Sequence, residues 1–212
     1  MKKRYLLIVF CTLLISIFSI GLTVAFMTDR EKDDNVFTIG NVSISLTESK
    51  VDELGNVIEN ETSNNNTYHL MPGYTYTKNP TITVEDGSDD SYVRILVTIN
   101  SIVELKGLYG EDFTLEDIYS NWGTKWLLTN KKTNSDGTIT FEYRYKDVVN
   151  GLNGSKKLEP LFTNFTIPTS ATVGELENLA NYKIIIKGQA IQKSGFATDK
   201  EAWQAFEKQY NE

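Results

Sequence analysis

Apolar and polar residues alternate along several short stretches of the chain, in which β-branched and aromatic residues are frequent. The stretches cover residues 36–46, 92–99, 138–148 and 182–191. Clusters of Gly, Asn and Asp separate them at spacings that suit hairpin turns. Because a period of two places apolar side chains on one face of a strand, each stretch predicts a β-strand. The pattern therefore predicts a mostly β fold.

Two of these strands carry further detail, and one intervening segment lacks any pattern. In residues 92–99 every second residue is β-branched and apolar, which predicts one buried face. Three consecutive isoleucines at 184–186 predict a strand covered on both faces. Residues 60–66 are polar and without periodicity, which predicts a mobile loop tip.

Three stretches have helical spacing instead, at residues 114–121, 174–181 and 198–210. The last has apolar residues at every third or fourth position, namely Ala202, Trp203, Phe206 and Tyr210. Thr198 or Asp199 can cap its first turn. This stripe predicts an amphipathic helix that packs on the sheet, and a contact between subunits is the alternative.

The first 25 residues have the pattern of an export signal. Basic residues at positions 2–4 precede an apolar run at positions 5–20, and small residues follow. Thr23 and Ala25 suit a signal peptidase, so we predict cleavage between Ala25 and Phe26. An uncleaved membrane anchor is the alternative, for which this run is marginal in length. The prediction is a secreted protein that keeps no membrane segment after cleavage.

Charge and cysteine content narrow the possible functions. The chain has 28 acidic and 21 basic residues, and the signal removes three basic residues and the only cysteine, Cys11. The resulting acidic balance disfavours nucleic acid as a partner. We predict a signal peptide at residues 1–25, an extended N-terminal segment at 26–40, and one β-sandwich domain at 41–212.

The sequence offers little for catalysis. Its single histidine is His69, and the predicted mature chain has no cysteine, so a Cys–His nucleophilic pair is excluded. The paired histidines of a zinc peptidase motif are absent as well. We therefore predict a non-enzyme that uses no cofactor, with a structural role for His69.

One acidic segment, residues 85–90, lies between two predicted strands. Asp86, Asp89 and Asp90 are its candidate calcium ligands, because calcium binds several carboxylate oxygens at flexible turns. Their spacing is not that of an EF-hand loop. We favour a solvated turn and predict no metal site.

Several segments, taken in order, carry a resemblance to a known family. They are GLTVAFMTD at 21–29, NVFTIGNV at 35–42, MPG at 71–73, KNP at 78–80, YVRI at 92–95, LF at 161–162, IP at 167–168, GQAIQ at 188–192 and EAW at 201–203. Their order and spacing resemble the TasA and camelysin (CalY) family of secreted biofilm-matrix proteins of Gram-positive bacteria. The resemblance spans most of the chain.

This resemblance implies a jelly-roll-like antiparallel β-sandwich with a few inserted short helices and the C-terminal amphipathic helix. It also implies processing by an ER-type signal peptidase and head-to-tail assembly into extracellular fibres, in which the N-terminal segment of one subunit completes a sheet of the next. The residues expected to drive polymerisation are Phe26, Met27, Val36, Phe37 and Ile39. The intervening charged residues 28–35 are expected to form a soluble connector.

Alternatives to a homopolymeric fibre subunit are open. The N-terminal segment could be an ordinary first strand of its own domain. The chain could also be a cell-surface metallopeptidase of the camelysin type, although the absent zinc motif conflicts with that, or a monomeric adhesive protein. Without a C-terminal sorting motif, retention at the cell surface would require a non-covalent accessory or anchoring protein.

Overall fold

The structure of this chain, a computed structural model, describes residues 28–32, 35–39, 41–63 and 65–210. The predicted signal peptide and its cleavage site therefore lie outside the described residues. Strands predominate over helices, and all paired strands that are described run antiparallel. The prediction of a mostly β fold with a few short helices is confirmed.

The larger sheet has six strands in the order β2-β1-β13-β7-β10-β9. Their bounds are Thr28–Lys32 for β1, Asn35–Ile39 for β2, Ser91–Ile99 for β7, Trp126–Thr133 for β9, Ile139–Tyr145 for β10 and Ile184–Gln192 for β13. The alternation predicted for residues 92–99 is confirmed, because every second residue from Val93 to Ile99 is buried. Strands β7 and β13 form the centre of this sheet.

Two smaller sheets complete the β structure. One has the order β11-β6-β3-β4 and the other β5-β12-β8. The strand bounds are Ile44–Val51 for β3, Val57–Ser63 for β4, Thr75–Thr77 for β5, Thr81–Val84 for β6, Tyr119–Ser120 for β8, Lys156–Lys157 for β11 and Asn164–Thr166 for β12. The main core lies between the larger sheet and these two sheets.

Four α-helices and one 3₁₀ turn are described. They are α1 at Ile102–Tyr109, α2 at Leu115–Ile118, α3 at Val173–Asn178, the 3₁₀ turn at Leu179–Asn181, and α4 at Asp199–Tyr210. Reciprocal side-chain to backbone bonds between Thr172 and Glu175 cap the start of α3. Helix α4 buries Ala202, Trp203 and Phe206 against Ile191, so the predicted packing of this helix on the sheet is confirmed.

Two strand predictions are wrong. Residues 36–46 form two strands in different sheets instead of one, because β2 ends at Ile39 and β3 begins at Ile44. Just before β3, the Ser43 amide donates to the buried Ser88 hydroxyl, and that hydroxyl donates to the Ser43 carbonyl, both at 3.0 Å. The isoleucines at 184–186 are not covered on both faces, since Ile185 is 43% exposed. Coverage of both faces begins further along β13, where α4 packs.

Two further predictions of local structure are wrong, and one helix was not predicted. Residues 60–63 belong to β4 and not to a loop, because Thr62 and Ser63 pair with β3 although the side chains of this segment are mostly exposed. Residues 28–32 of the predicted connector form β1. Helix α1 was missed, since only Leu105 is fully buried and the helix lacks a clear apolar stripe.

Candidate functional site

The N-terminal hairpin of β1 and β2 pairs with the edge of β13 that faces away from β7, and it forms the first candidate site. Strand β1 pairs antiparallel with β13, with Thr28 opposite Ile191 and Glu31 opposite Gly188. Strands β1 and β13 face each other over four residue pairs, so the hairpin is joined to the domain through a short ladder. On its other side β13 pairs with β7 over its full length. The side of β13 away from β7 is therefore the edge to which the hairpin attaches.

Strand β2 holds three of the five residues predicted to drive polymerisation. Val36 lies opposite Glu31, Phe37 opposite Arg30, and Ile39 opposite Thr28. The other two, Phe26 and Met27, lie outside the described residues, as do Thr23 and Ala25 of the predicted cleavage site. The structure thus places Val36, Phe37 and Ile39 together on the outermost described strand of the larger sheet.

Glycine at position 188 allows β13 to approach the opposite sheet closely. A Cβ atom there would lie 3.1 Å from Cδ1 of Ile82 and 3.4 Å from Cδ1 of Ile44. A contact of 3.1 Å is tighter than ordinary van der Waals packing, so a larger residue would force the Ile82 side chain to shift. Gly188 is also the first β13 residue that pairs with β1. The hairpin therefore attaches beside this close approach of the two sheets.

A buried arginine fixes the other face of β13. Nε of Arg94 donates to Oε1 of Gln189 at 2.8 Å, and its guanidinium also bonds to the Glu207 carboxylate on α4. The guanidinium carbon lies 4.2 Å from the ring centroid of Trp203 and 5.1 Å from that of Phe206. Cation–π contacts gain strength when the cation is desolvated, and the Arg94 side chain is only 3% exposed.

A second arginine extends this network across the sheet. Nε of Arg144 donates to Oε1 of Glu142 at 2.6 Å, and its Nη1 donates to Oδ2 of Asp199 at 3.0 Å. The same Glu142 oxygen lies 3.5 Å from Nη1 of Arg94. Together these contacts join β7, β10 and β13 to both ends of α4. We call this arrangement of Arg94, Arg144 and α4 the braced platform; it lies beside the edge that carries the hairpin.

The acidic segment forms a structural turn. The Gly87 amide donates to the Gly151 carbonyl at 2.9 Å, the Asp89 amide donates to the Asn41 carbonyl at 2.7 Å, and Oδ1 of Asp90 accepts from Asn150 at 2.6 Å. Asp86 is exposed. Across the described ranges there is no group of three or more His, Cys, Asp or Glu side chains that could hold a metal ion. Asp86, Asp89 and Asp90 are thus not brought together as a calcium site.

His69 contributes its backbone to the structure. Its amide donates to the Glu53 carbonyl at 2.7 Å, and its carbonyl accepts from the Tyr76 hydroxyl at 2.7 Å. The side chain is exposed. Both bonds hold the loop that precedes β5, and His69 also lines the cavity described next.

A cavity of about 890 Å³ lies between this loop and the segment from α3 to β13. Most of its lining is apolar or aromatic, including Leu105, Phe165 and Leu176. Two tyrosines contribute an internal polar group, since the hydroxyls of Tyr119 and Tyr182 are 2.8 Å apart. A volume of about 300–1,000 Å³ is typical of small-molecule sites. Sequence reasoning gave no sign of this cavity.

Burial controls the ionisation of the cavity tyrosines. It raises the pKa of Tyr182 to about 12, against a smaller lowering by the hydrogen bond with Tyr119. Burial raises the pKa of Tyr119 well above its usual value, and Tyr182 raises it further. Burial likewise raises the pKa of Tyr68 and Tyr109. These hydroxyls therefore stay protonated and able to donate at neutral pH.

The ion pair of Lys78 and Glu48 lies at the same cavity. Nζ of Lys78 donates to both carboxylate oxygens of Glu48 at 2.9 Å, and each side chain is 9% exposed. Lys78 lines the cavity, and Glu48 comes from β3. The two charges compensate each other inside the protein.

Comparison of the chain with models of protein families, with curated proteins and with solved structures found no match. Of the helices that the structure describes, none is both long and apolar enough to cross a membrane. The fold and the sites described above are thus the basis for any functional assignment.

Sequence reasoning missed the main structural residue at the braced platform, although a signal was present. Arg94 is the one charge in an otherwise apolar strand, and it alternates with residues predicted to be buried. A charge at such a position normally faces solvent, so only the apolar face of the C-terminal helix indicated that this one is covered. The aromatic residues Trp203 and Phe206, already predicted to share one helix face, were the available partners.

Proposed function

We propose that this chain is a secreted structural subunit of extracellular matrix or cell-surface fibres, which assembles with further copies by donating its N-terminal hairpin. The observation that supports this most is the attachment of β1 and β2 at the edge of the larger sheet through a short ladder. An element of this kind can leave its own edge and pair with the same edge of a second copy, since the main-chain bonds are equivalent.

In each such contact one copy would donate its hairpin, and the next copy would accept it at the edge of β13. Because donor and acceptor surfaces lie on different parts of the chain, such a contact is head-to-tail, and it gives an open filament when the rotation between successive copies does not close a ring. Strand β13 suits the acceptor role, since Gly188 packs it against the opposite sheet and Arg94 braces its other face. A rigid acceptor lowers the ordering cost of each addition.

The proposal is tested by negative-stain electron microscopy of the chain that begins at Phe26 and of a chain that lacks residues 26–39. Both are incubated over a range of concentrations, and circular dichroism confirms that each is folded. We expect filaments from the longer chain and monomers from the shorter one. Two monomeric samples at every concentration would refute the fibre proposal and favour an adhesive or accessory role.

A pair of substitutions in the longer chain separates the donor strand from general surface effects. Phe37→Asp lies in β2, and Leu127→Asp lies in β9, the opposite edge strand, where Leu127 is 49% exposed. We expect Phe37→Asp to prevent filament formation and Leu127→Asp to preserve it. Equal filament formation by both variants would argue against donation of the hairpin.

A further inference from the structure

The cavity between the loop that precedes β5 and the segment from α3 to β13 contains an unused hydrogen-bond donor. The hydroxyls of Tyr119 and Tyr182 lie 2.8 Å apart, and only one of their two hydrogens can occupy that bond. No other acceptor for the second hydrogen is recorded in the part of the chain that the structure describes. Tyr119 is only 1% exposed. A ligand that fills the cavity must therefore offer an acceptor oxygen to this donor or leave it without a hydrogen bond, which costs free energy.

The charges around the cavity favour a neutral ligand. Lys78 is held by both oxygens of Glu48, so neither group is available to compensate a bound charge. Glu177 and Lys183, which also line the cavity, are exposed and opposite in sign. An ionised group beside the buried Tyr119–Tyr182 pair would lose its hydration without a compensating partner there.

Two exposed apolar residues lie among the cavity lining, which gives a hydrophobic entrance. Val173 on α3 is 69% exposed and Ile185 on β13 is 43% exposed. Deeper in the cavity the lining consists of buried residues such as Leu105, Phe165 and Leu179. This gradation suits a molecule with an apolar body, since its transfer from water is favourable along the whole path.

We propose that this cavity binds a neutral, mainly apolar small molecule whose carbonyl, ether or hydroxyl oxygen accepts a hydrogen bond from the Tyr119–Tyr182 pair. The site is separate from the hairpin and does not depend on fibre assembly. The raised pKa values of both tyrosines keep the donor present throughout the neutral range.

The probe for this site is Prodan, a neutral naphthalene ketone whose fluorescence reports its surroundings, titrated into the chain that begins at Phe26. We expect saturable binding with blue-shifted emission. Leu176→Trp fills the cavity and Val173→Trp narrows its entrance, so each should weaken binding. Val103→Trp is the control, because Val103 lies on α1, outside the lining, and is 79% exposed. Since Val173 is largely exposed, its variant remains informative if Leu176→Trp fails to fold.

The hydrogen bond is tested by the double variant Tyr119→Phe/Tyr182→Phe, because a single variant would leave one hydroxyl able to donate. We expect about fivefold weaker Prodan binding, the typical value of one hydrogen bond. N-phenyl-1-naphthylamine, which has no carbonyl, should bind the double variant and the unaltered chain equally. Unchanged Prodan affinity in the two tryptophan variants would overturn the site, and an equal loss for both dyes would overturn the role of the tyrosine pair.

Discussion

The ion pair of Lys78 and Glu48 shows how one buried contact controls stability. Lys78→Met removes the cation and leaves the Glu48 carboxylate uncompensated in a site where it is 9% exposed. We expect this variant to lose about 3 kcal/mol or more of unfolding free energy, measured by urea denaturation. The double variant Glu48→Leu/Lys78→Met should recover most of that loss, because no buried charge remains.

The matched control is Lys50→Met, which breaks the surface pair between Lys50 and Glu61. Those side chains are 46% and 51% exposed, so water already solvates both charges. We expect a loss below about 1 kcal/mol. If the double variant at the buried pair were as unstable as Lys78→Met alone, the loss would not come from an uncompensated charge.

The buried tyrosines predict a loss of stability at alkaline pH. Burial raises the pKa of Tyr182 from 10.0 to about 12, so between these values the folded chain keeps a proton that the unfolded chain releases. Its contribution is fully present below pH 10 and falls as pH rises towards 12, by about 1.4 kcal/mol per pH unit. Urea midpoints at pH 8, 10 and 11 measure the slope, and Tyr182→Phe should reduce it. A stability that is constant up to pH 11 would contradict this account.

At the scale of elements, the attachment of α4 depends on its aromatic face. Trp203 is 2% exposed and packs against Phe206 and the Arg94 guanidinium, so Trp203→Ala removes both packing and a cation–π contact. We expect a loss of about 3–5 kcal/mol in urea unfolding followed by far-UV circular dichroism. The control is Gln204→Ala, at the exposed residue that follows Trp203 in the chain, which should change stability by less than about 0.5 kcal/mol. Similar losses in both variants would show that α4 is not held through this face.

Elements with strong periodicity were the ones that the sequence predicted well. Strand β7 and helix α4 each bury a regular set of apolar residues, and the position of both was predicted. Strand β4 and helix α1 were not, because backbone pairing stabilises the first and few buried residues mark the second. The cavity could not be predicted either, since its residues come from distant segments that only the tertiary fold assembles.

For the whole molecule, the main question is whether the hairpin remains on its own domain or moves to another copy. In a single chain its four recorded pairs with β13 are satisfied internally. At high concentration the same ladder can form between copies without loss of main-chain bonds, so concentration can drive exchange. The internal arrangement then competes with the fibre, and any constraint that holds it should suppress filaments.

A disulfide between β1 and β13 tests this competition directly. Asp29 and Ala190 are opposite each other in the ladder, at the separation that a cross-strand disulfide spans, and the predicted mature chain has no other cysteine. We expect oxidised Asp29→Cys/Ala190→Cys to stay monomeric in electron microscopy and to form filaments after reduction. The control is Thr98→Cys/Thr140→Cys, a facing pair on β7 and β10 that leaves the hairpin unconstrained. Filaments from the oxidised hairpin variant, as abundant as those from the control, would show that assembly does not require the hairpin to leave its own edge.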